Sequence, residues 1–210
     1  MSQHAISPIV YVVDDNVSLL RALSRLLTMA GYAVETFASA PEFLAQHRLQ
    51  NRGCVIADLR MPVMNGLELQ AELARSGNPL PVIFLTGHGD IPTSVQAIKR
   101  GAEDFLKKPV QKEKLLAAVN LALANDAAAF ALHAHQRELQ QHYELLTPRE
   151  RQVLAQIAAG KLNKEIAAGL DAAESTIKAH RASIMEKLRV HSPAELGRLT
   201  QELGSLSQNP

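Results

Sequence analysis

Scarcity is the first feature of this chain. It has one cysteine in 210 residues, Cys54, so no intrachain disulfide is possible, which suits a reducing compartment. Cys54 opens an apolar run and reads as a buried small hydrophobe rather than a reactive thiol. Tryptophan is absent and aromatic residues make up 4% of the chain, which argues against a pocket built to enclose a ligand. Neither sign of charge dominates, since 22 Lys and Arg face 21 Asp and Glu. Even residues 146–210 hold only nine basic side chains against seven acidic ones, so whole-domain charge gives no independent vote for nucleic acid. No uninterrupted apolar run is long enough to cross a bilayer. The opening "MSQHAISP" lacks the basic region and apolar core of a signal peptide. Together these absences predict a cytoplasmic protein without a membrane partner. The length fits one large domain or two modest ones.

What is present divides into two halves. Short runs rich in β-branched residues, "IVYVV", "AVETF", "CVIAD", "PVIFLT" and "EDFL", alternate with helical segments from Ile9 to about Asn125. The first such segment shows an apolar stripe, Leu19, Leu20, Leu23, Leu26 and Leu27, and stops at Gly31. That alternation predicts an α/β domain over residues 8–125, a flavodoxin-like (βα)5 doubly wound parallel sheet. Residues 112–146 contain neither Pro nor Gly and predict a last helix that runs on as a helical linker, 126–145. Of the histidines there, only His135 and His142 share a face, which reads as a solvated stripe rather than a metal site.

After Thr147 the strand signal ends. "TPRE" supplies Thr147 as N-cap, Pro148 at the first helical position and Glu150 as capping-box partner, and Ser192, Pro193 and Glu195 repeat the device. Gly160 marks a helix end, and Asn163 is expected to cap the next helix. The prediction for 146–204 is an all-α domain of four short helices around Leu154, Ile157, Ile166, Leu170, Ile177, Ile184 and Leu188.

The chemistry concentrates at the strand ends. Strand one delivers Asp14 and Asp15, strand three Asp58, strand four Thr86, and strand five leads to Lys108. Parallel strands finish on one edge, where ligands of open α/β sheets bind. Three converging carboxylates repel one another unless a cation sits among them, and a hard ion with oxygen ligands, Mg²⁺, is the natural choice. A phosphoryl group would use the remaining positions. Asp58 would act as nucleophile, Lys108 would neutralise charge, and Thr86 would donate a hydrogen bond. Taken singly, each residue has a plainer reading. Asp15 could cap the first helix, Asp58 could belong to a turn, Thr86 could be a strand-end hydroxyl, and Lys108 could be a solvated charge.

The motifs "VVDDN", "DLRMPVMNG", "FLTGHGD" and "FLKKPV", in this order, resemble a response-regulator receiver domain, in particular the FixJ/NarL class. The resemblance implies that Asp58 is the phosphoacceptor for a partner histidine kinase. It implies Mg²⁺ ligands from Asp15, Asp58 and the main-chain carbonyl of Arg60, with Asp14 helping through water. Thr86, Gly87 and Lys108 would contact the phosphoryl group, and the Lys108–Pro109 bond would be cis. Phe105 falls where the family places its switch aromatic, to move together with Thr86 and the cis Pro109. From its pattern alone, Phe105 is a core strand residue.

In "ESTIKAHRASIMEKL", Ile177, Ile184 and Leu188 form the apolar stripe, while Ser175, Ala179, Ala182 and Glu186 point the opposite way. Small residues flanked by Lys178, His180 and Arg181 suit entry into a major groove, although the same pattern fits a solvated bundle face. The text "LTPRERQVL…NKEIA…ESTIKAHRASIMEKL" resembles the LuxR-type helix-turn-helix domain. That resemblance implies a recognition helix over 174–188, a supporting helix over 163–170, and double-stranded DNA as partner. Lys164, Ser175, Thr176, Lys178, Ala179, His180, Arg181 and Ala182 would line the DNA. Leu196, Leu199 and Leu203 would form a dimerisation stripe in a homodimer promoted by phosphorylation. Three residues depart from the family pattern: Ala173 replaces a usual Ser N-cap, Asp171 a usual Gly, and Ala172 a larger apolar side chain.

The resulting expectation is a DNA-binding response regulator of a two-component system, not an enzyme. Two rival readings differ in class. An aspartyl-phosphate phosphatase wants an acid two residues after the nucleophile, where this chain has Arg60. A ligand-sensing DNA-binding regulator independent of phosphorylation would need a pocket that the few aromatics do not suggest.

Overall fold

The computed structural model describes residues 7–46, 52–75, 80–87 and 103–206. They form two compact units, residues 1–130 and 131–210. The first holds five strands, β1 (Ile9–Val13), β2 (Ala33–Phe37), β3 (Gly53–Asp58), β4 (Val82–Thr86) and β5 (Asp104–Lys107), in the order β2-β1-β3-β4-β5. All neighbours pair parallel. Helices α1 (Val17–Met29), α2 (Ala40–Gln46) and α3 (Gly66–Arg75) connect them, and α4 (Lys112–Glu144) follows β5. The "HGD" of the strand-four loop and the helix expected between β4 and β5 lie outside the described residues.

The period-two alternation of the strands separates two cores. Tyr11, Val13, Val55, Ala57 and Phe84 face one side, with Phe43 of α2 and Leu69 and Leu73 of α3. Val10, Val12, Ile56, Ile83 and Leu85 face the other, with Leu23 and Leu27 of α1 and Leu115 and Val119 of α4. Helices on both faces, joined by crossovers, make this a doubly wound sheet. Gly53 is required where β3 begins. Its φ is +141°, and a Cβ there would sit 1.8 Å from the Ile9 carbonyl oxygen of β1. Cys54 is fully buried, and burial together with the nearby Asp126 and Glu103 carboxylates pushes its thiol up to about 12, so it is inert packing.

The long helix corrects one expectation. An 18-residue window of α4 has a mean hydropathy of 1.7, apolar enough by length and composition to cross a membrane, with 28% of it buried. Its alanines and leucines raise that value, and the stripe Leu115, Ala118, Val119 and Ala122 packs on the sheet. Arg52, just before β3, fastens the helix further along. Its Nε and Nη2 donate to Asp126 Oδ2 at 3.0 and 2.9 Å, and its guanidinium lies 4.6 Å from the Phe130 ring centroid.

The second unit contains α5 (Pro148–Ala158), α6 (Asn163–Gly169), α7 (Glu174–Lys187) and α8 (Pro193–Leu206). All seven expected apolar residues enter its core, joined by Leu139 and Leu146. The capping box at α5 forms as predicted, Thr147 accepting from the Glu150 N–H and Glu150 accepting from the Thr147 N–H. Asn163 is not a cap. Leu162 occupies that position, Glu165 reaches back to its N–H at 2.8 Å, and Asn163 is instead the first residue of α6.

Candidate functional site

The sheet register brings the polar strand ends together. Val13 lies beside Ala57, Asp58 beside Leu85, and Thr86 beside Lys107. Asp14, Asp58, Thr86 and Lys108 therefore stand on one edge. Asp14 is fully buried, with Oδ1 accepting from the Asn16 N–H at 2.8 Å. Its other oxygen meets Lys108 Nζ at 2.6 Å, and the same ammonium lies 3.1 Å from Asp58 Oδ1. Asp15 completes the group, with one carboxylate oxygen from each acid within 4.8 Å of the others.

The plainer reading of Asp15 does not hold. Asn16 caps α1, its side-chain oxygen accepting from the N–H groups of Ser18 and Leu19 at 3.0 and 3.2 Å. Asp15 is left exposed beside two acids. A buried, a half-buried and an exposed carboxylate, all offering oxygen, fit a hard divalent cation such as Mg²⁺. Burial raises Asp58 above the ordinary carboxylate range and the nearby Asp14 adds to this. Lys108 and the Arg60 backbone N–H pull the other way without cancelling it. Burial works against the charge on Lys108, but hydrogen bonds and attraction from Asp14 and then Asp58 prevail and raise it. Lys108 is thus held firmly cationic between two acids.

Other expected residues fall nearby. Thr86 is buried at the end of β4, its hydroxyl 3.2 Å from the Gly87 carbonyl oxygen, and among the described residues a Cβ on Gly87 would meet nothing within 4 Å. Arg60 is exposed just beyond Asp58. Phe105 is half-buried and packs on Phe84, ring centroids 6.4 Å apart, and the Lys108–Pro109 bond is cis. Two features of the β3–α3 loop are not announced by their residue types. Val63, a β-branched residue, holds φ +70° and is 94% exposed. Gly66 lets α3 start against the acid-bearing strand, for a Cβ there would lie 2.6 Å from the Asp58 carbonyl oxygen and 2.9 Å from the Phe84 ring. Gly66→Ala is accordingly expected to destabilise the first unit by about 1–3 kcal/mol, the scale of overpacking. Denaturant unfolding of the purified variant checks this.

In the second unit, Lys164, Ser175, Thr176, Lys178, Ala179 and Ala182 are exposed. Lys178 pairs with Glu174 at 3.2 Å on the same face. His180 and Arg181 are half-buried, and Arg181 Nη1 donates to Asn163 Oδ1 at 3.2 Å, bracing α7 against α6. The leucine stripe of α8 requires correction. Leu196 is fully buried and Leu203 nearly so, both in the unit's own core with Leu199 packed against it, so the stripe is not presented to a partner.

Glu150 has more partners than its motif announces. Beyond its cap it accepts from Ser183 Oγ and Lys187 Nζ, each at 2.7 Å, pinning the far end of α7. Burial opposes its charge. The hydrogen bonds from Lys187, Ser183 and Thr147 outweigh burial and hold its carboxyl down at about 2. At the near end of α7, Ala173 supplies no side-chain cap. Ala173→Ser is expected to stabilise this unit by about 1 kcal/mol, read as a raised midpoint in thermal unfolding.

Two family models match. Residues 10–120 match the response regulator receiver domain, and residues 144–200 match the bacterial regulatory proteins of the luxR family. The chain is 44% identical to the response regulator protein TodT of Pseudomonas putida over 93% of its own length and 86% of that protein. It is 37% identical to the transcriptional regulatory protein FixJ of Bradyrhizobium diazoefficiens, over 94% and 97% of the two chains. Its fold is similar to the solved structure of the response regulator StyR, with a TM-score of 0.85 and 43% identity over 93% of this chain and 99% of that one.

Proposed function

Because the chain belongs to the response-regulator family, a receiver domain followed by a LuxR-family DNA-binding domain, we propose that Asp58 accepts a phosphoryl group from a histidine kinase and thereby controls DNA binding. The observation that supports this most is Lys108, held 2.6 Å from Asp14 and 3.1 Å from Asp58 beside the exposed Asp15.

Asp14, Asp15 and Asp58, with the Arg60 carbonyl, would hold Mg²⁺, which supplies positive charge against the phosphoryl oxygens. An Asp58 carboxylate oxygen attacks phosphorus as the bond to the kinase histidine breaks, and the imidazole keeps the electron pair. Lys108 loses one neighbouring negative charge from its pairing but gains the phosphoryl oxygens, so it remains neutralised. Thr86, at the end of the adjacent strand, donates its hydroxyl to the new group, and Gly87 next to it contacts the same group. That exchange draws Thr86 away from the Gly87 carbonyl and frees space beside Phe105, a local change able to bias a two-state element.

Double-stranded DNA is met by α7, with Lys178, Thr176 and Lys164 at phosphates and the small Ala179 and Ala182 against base edges. Lys178 must exchange its Glu174 partner for DNA. Phosphorylation promotes a homodimer, through a surface other than the buried Leu196–Leu203 stripe. Such a regulator acts in the cytoplasm, where the bacterial chromosome lies, with no membrane partner and no substrate turned over. The test selects preferred duplexes from a random pool and then measures affinity with and without beryllofluoride, a phosphoryl mimic. Tighter binding with the mimic is expected. Equal affinity in both conditions contradicts control by the receiver half.

A further inference from the structure

Helix α4 carries two apolar stripes on opposite sides. Leu115, Ala118, Val119 and Ala122 face the sheet and are buried. On the far side stand Ala117, Leu121, Ala124, Ala128 and Leu132, all exposed. Leu121 and Leu132 keep 54% and 55% of their surface open to solvent. A soluble helix that packs on one side normally turns charge to the other. Here residues 115–132 include a single charged side chain, Asp126, and it is buried against Arg52. Charge returns at the ends, with Glu113 and Lys114 before the stripe and Arg137 and Glu138 after it. An apolar face of this length calls for a cover.

Resting on the homodimer reading above, we propose that this outer stripe is its seam, one copy's α4 laid against the other's. Spacing selects the partner. Ala117, Leu121, Ala124 and Ala128 follow one another by four, three and four residues, the pattern of a two-helix seam. An uncharged helix of the same spacing matches it, and a second copy of the chain supplies one by necessity. A face without charge repels neither copy and offers nothing to select an acidic or a basic partner. Alanine at three of the four positions lets the helix axes approach to about 8 Å. A parallel pair places each residue beside its own copy and brings the two C-terminal ends of the helix together, as adjacent half-sites on DNA require. Area explains why the pairing needs a signal. From Ala117 to Leu132 the stripe runs about 22 Å and is mostly alanine, short of the roughly 1,000 Å² that a standing interface buries. The seam alone is therefore weak, and phosphorylation decides whether it closes. A lipid surface fits less well, because a helix lying on lipid flanks its apolar face with Lys and Arg. The shoulders here are Asn120, Asn125 and Ala127.

The test exploits the buried Cys54, which leaves a cysteine placed on α4 as the one accessible thiol of the full-length chain. Ala128→Cys lies in the seam, and His133→Cys is an exposed control on the opposite side of the helix. With beryllofluoride, Mg²⁺ and a mild thiol oxidant, Ala128→Cys is expected to form disulfide-linked dimers at least about tenfold faster than His133→Cys. Leu121→Lys puts a charge into the seam and is expected to weaken the beryllofluoride-dependent dimer at least about tenfold in sedimentation velocity. Because Leu121 is exposed in the single chain, labelling by acetyl phosphate and the thermal midpoint should not change. Equal crosslinking of the two cysteines, or a dimer untouched by Leu121→Lys, would overturn the seam and leave the homodimer to another surface. A protein that stays monomeric with and without beryllofluoride would overturn the homodimer and the seam together. Flotation with phosphatidylcholine vesicles, abolished by Leu121→Lys in a protein that does not dimerise, would assign the stripe to lipid and overturn the proposal.

Discussion

Replacing Asp58 with Asn is expected to abolish covalent phosphorylation of the protein by acetyl phosphate and Mg²⁺, as read by intact mass. The substitution is nearly isosteric. The Asn carbonyl oxygen can still accept from Lys108, now 3.1 Å from Asp58 Oδ1, and the strand end keeps its place beside Leu85. What disappears is the nucleophile, because an amide oxygen does not displace a leaving group from phosphorus at neutral pH. Asp14 cannot substitute. It is fully buried and both of its oxygens are engaged, one by the Asn16 N–H and one by Lys108. A variant that still takes up one phosphoryl group on a carboxylate would move the acceptor to another acid of the cluster.

The second large effect lies in the DNA-binding unit. Glu150→Ala is expected to destabilise that unit by about 3 kcal/mol, the scale of removing one partner from a buried ion pair. For a unit of this size that lowers its thermal midpoint by roughly 10 °C or more. Three donors lose their acceptor at once: Lys187 at 2.7 Å, Ser183 at 2.7 Å and the Thr147 N–H at 2.7 Å. The last two turns of α7 lose their anchor on α5, so DNA affinity should fall with stability. Calorimetry of the full chain separates this transition from that of the receiver unit. The same residue sets a pH dependence. Its carboxyl is held down at about 2 from an ordinary 4.5. Its stabilising contribution is therefore fully present above pH 4.5 and is lost as pH falls toward 2. The Ala variant should lack that acid-sensitive step.

Much of this architecture is legible in the chain because its signals are local or periodic. The alternation of β-branched runs with leucine stripes determines the sheet, and the direction of parallel strands then places Asp14, Asp58, Thr86 and Lys108 on one edge. The departures share a physical origin. Asp15 and Asn16 are adjacent cap-forming residues, and composition cannot say which one the backbone turns toward the helix. A leucine stripe such as Leu196, Leu199 and Leu203 looks the same whether it covers its own core or a partner. Asn163 looks like a cap until the Glu165 carboxylate is seen on the Leu162 N–H. Glu150 announces only its capping box, because its other partners lie 33 and 37 residues away. Gly66 reads as a turn residue, and its closeness to the Asp58 carbonyl emerges only in three dimensions.

The central claim is that the three acids and Lys108 form a magnesium-dependent phosphoacceptor centred on Asp58. Its most direct test incubates the protein with acetyl phosphate, with Mg²⁺ or with a chelator, then reduces the acyl phosphate with borohydride and maps the peptides. The account predicts that the modification appears at Asp58 alone and only when Mg²⁺ is present. Modification at another residue, or the same extent of modification with the chelator, would contradict it.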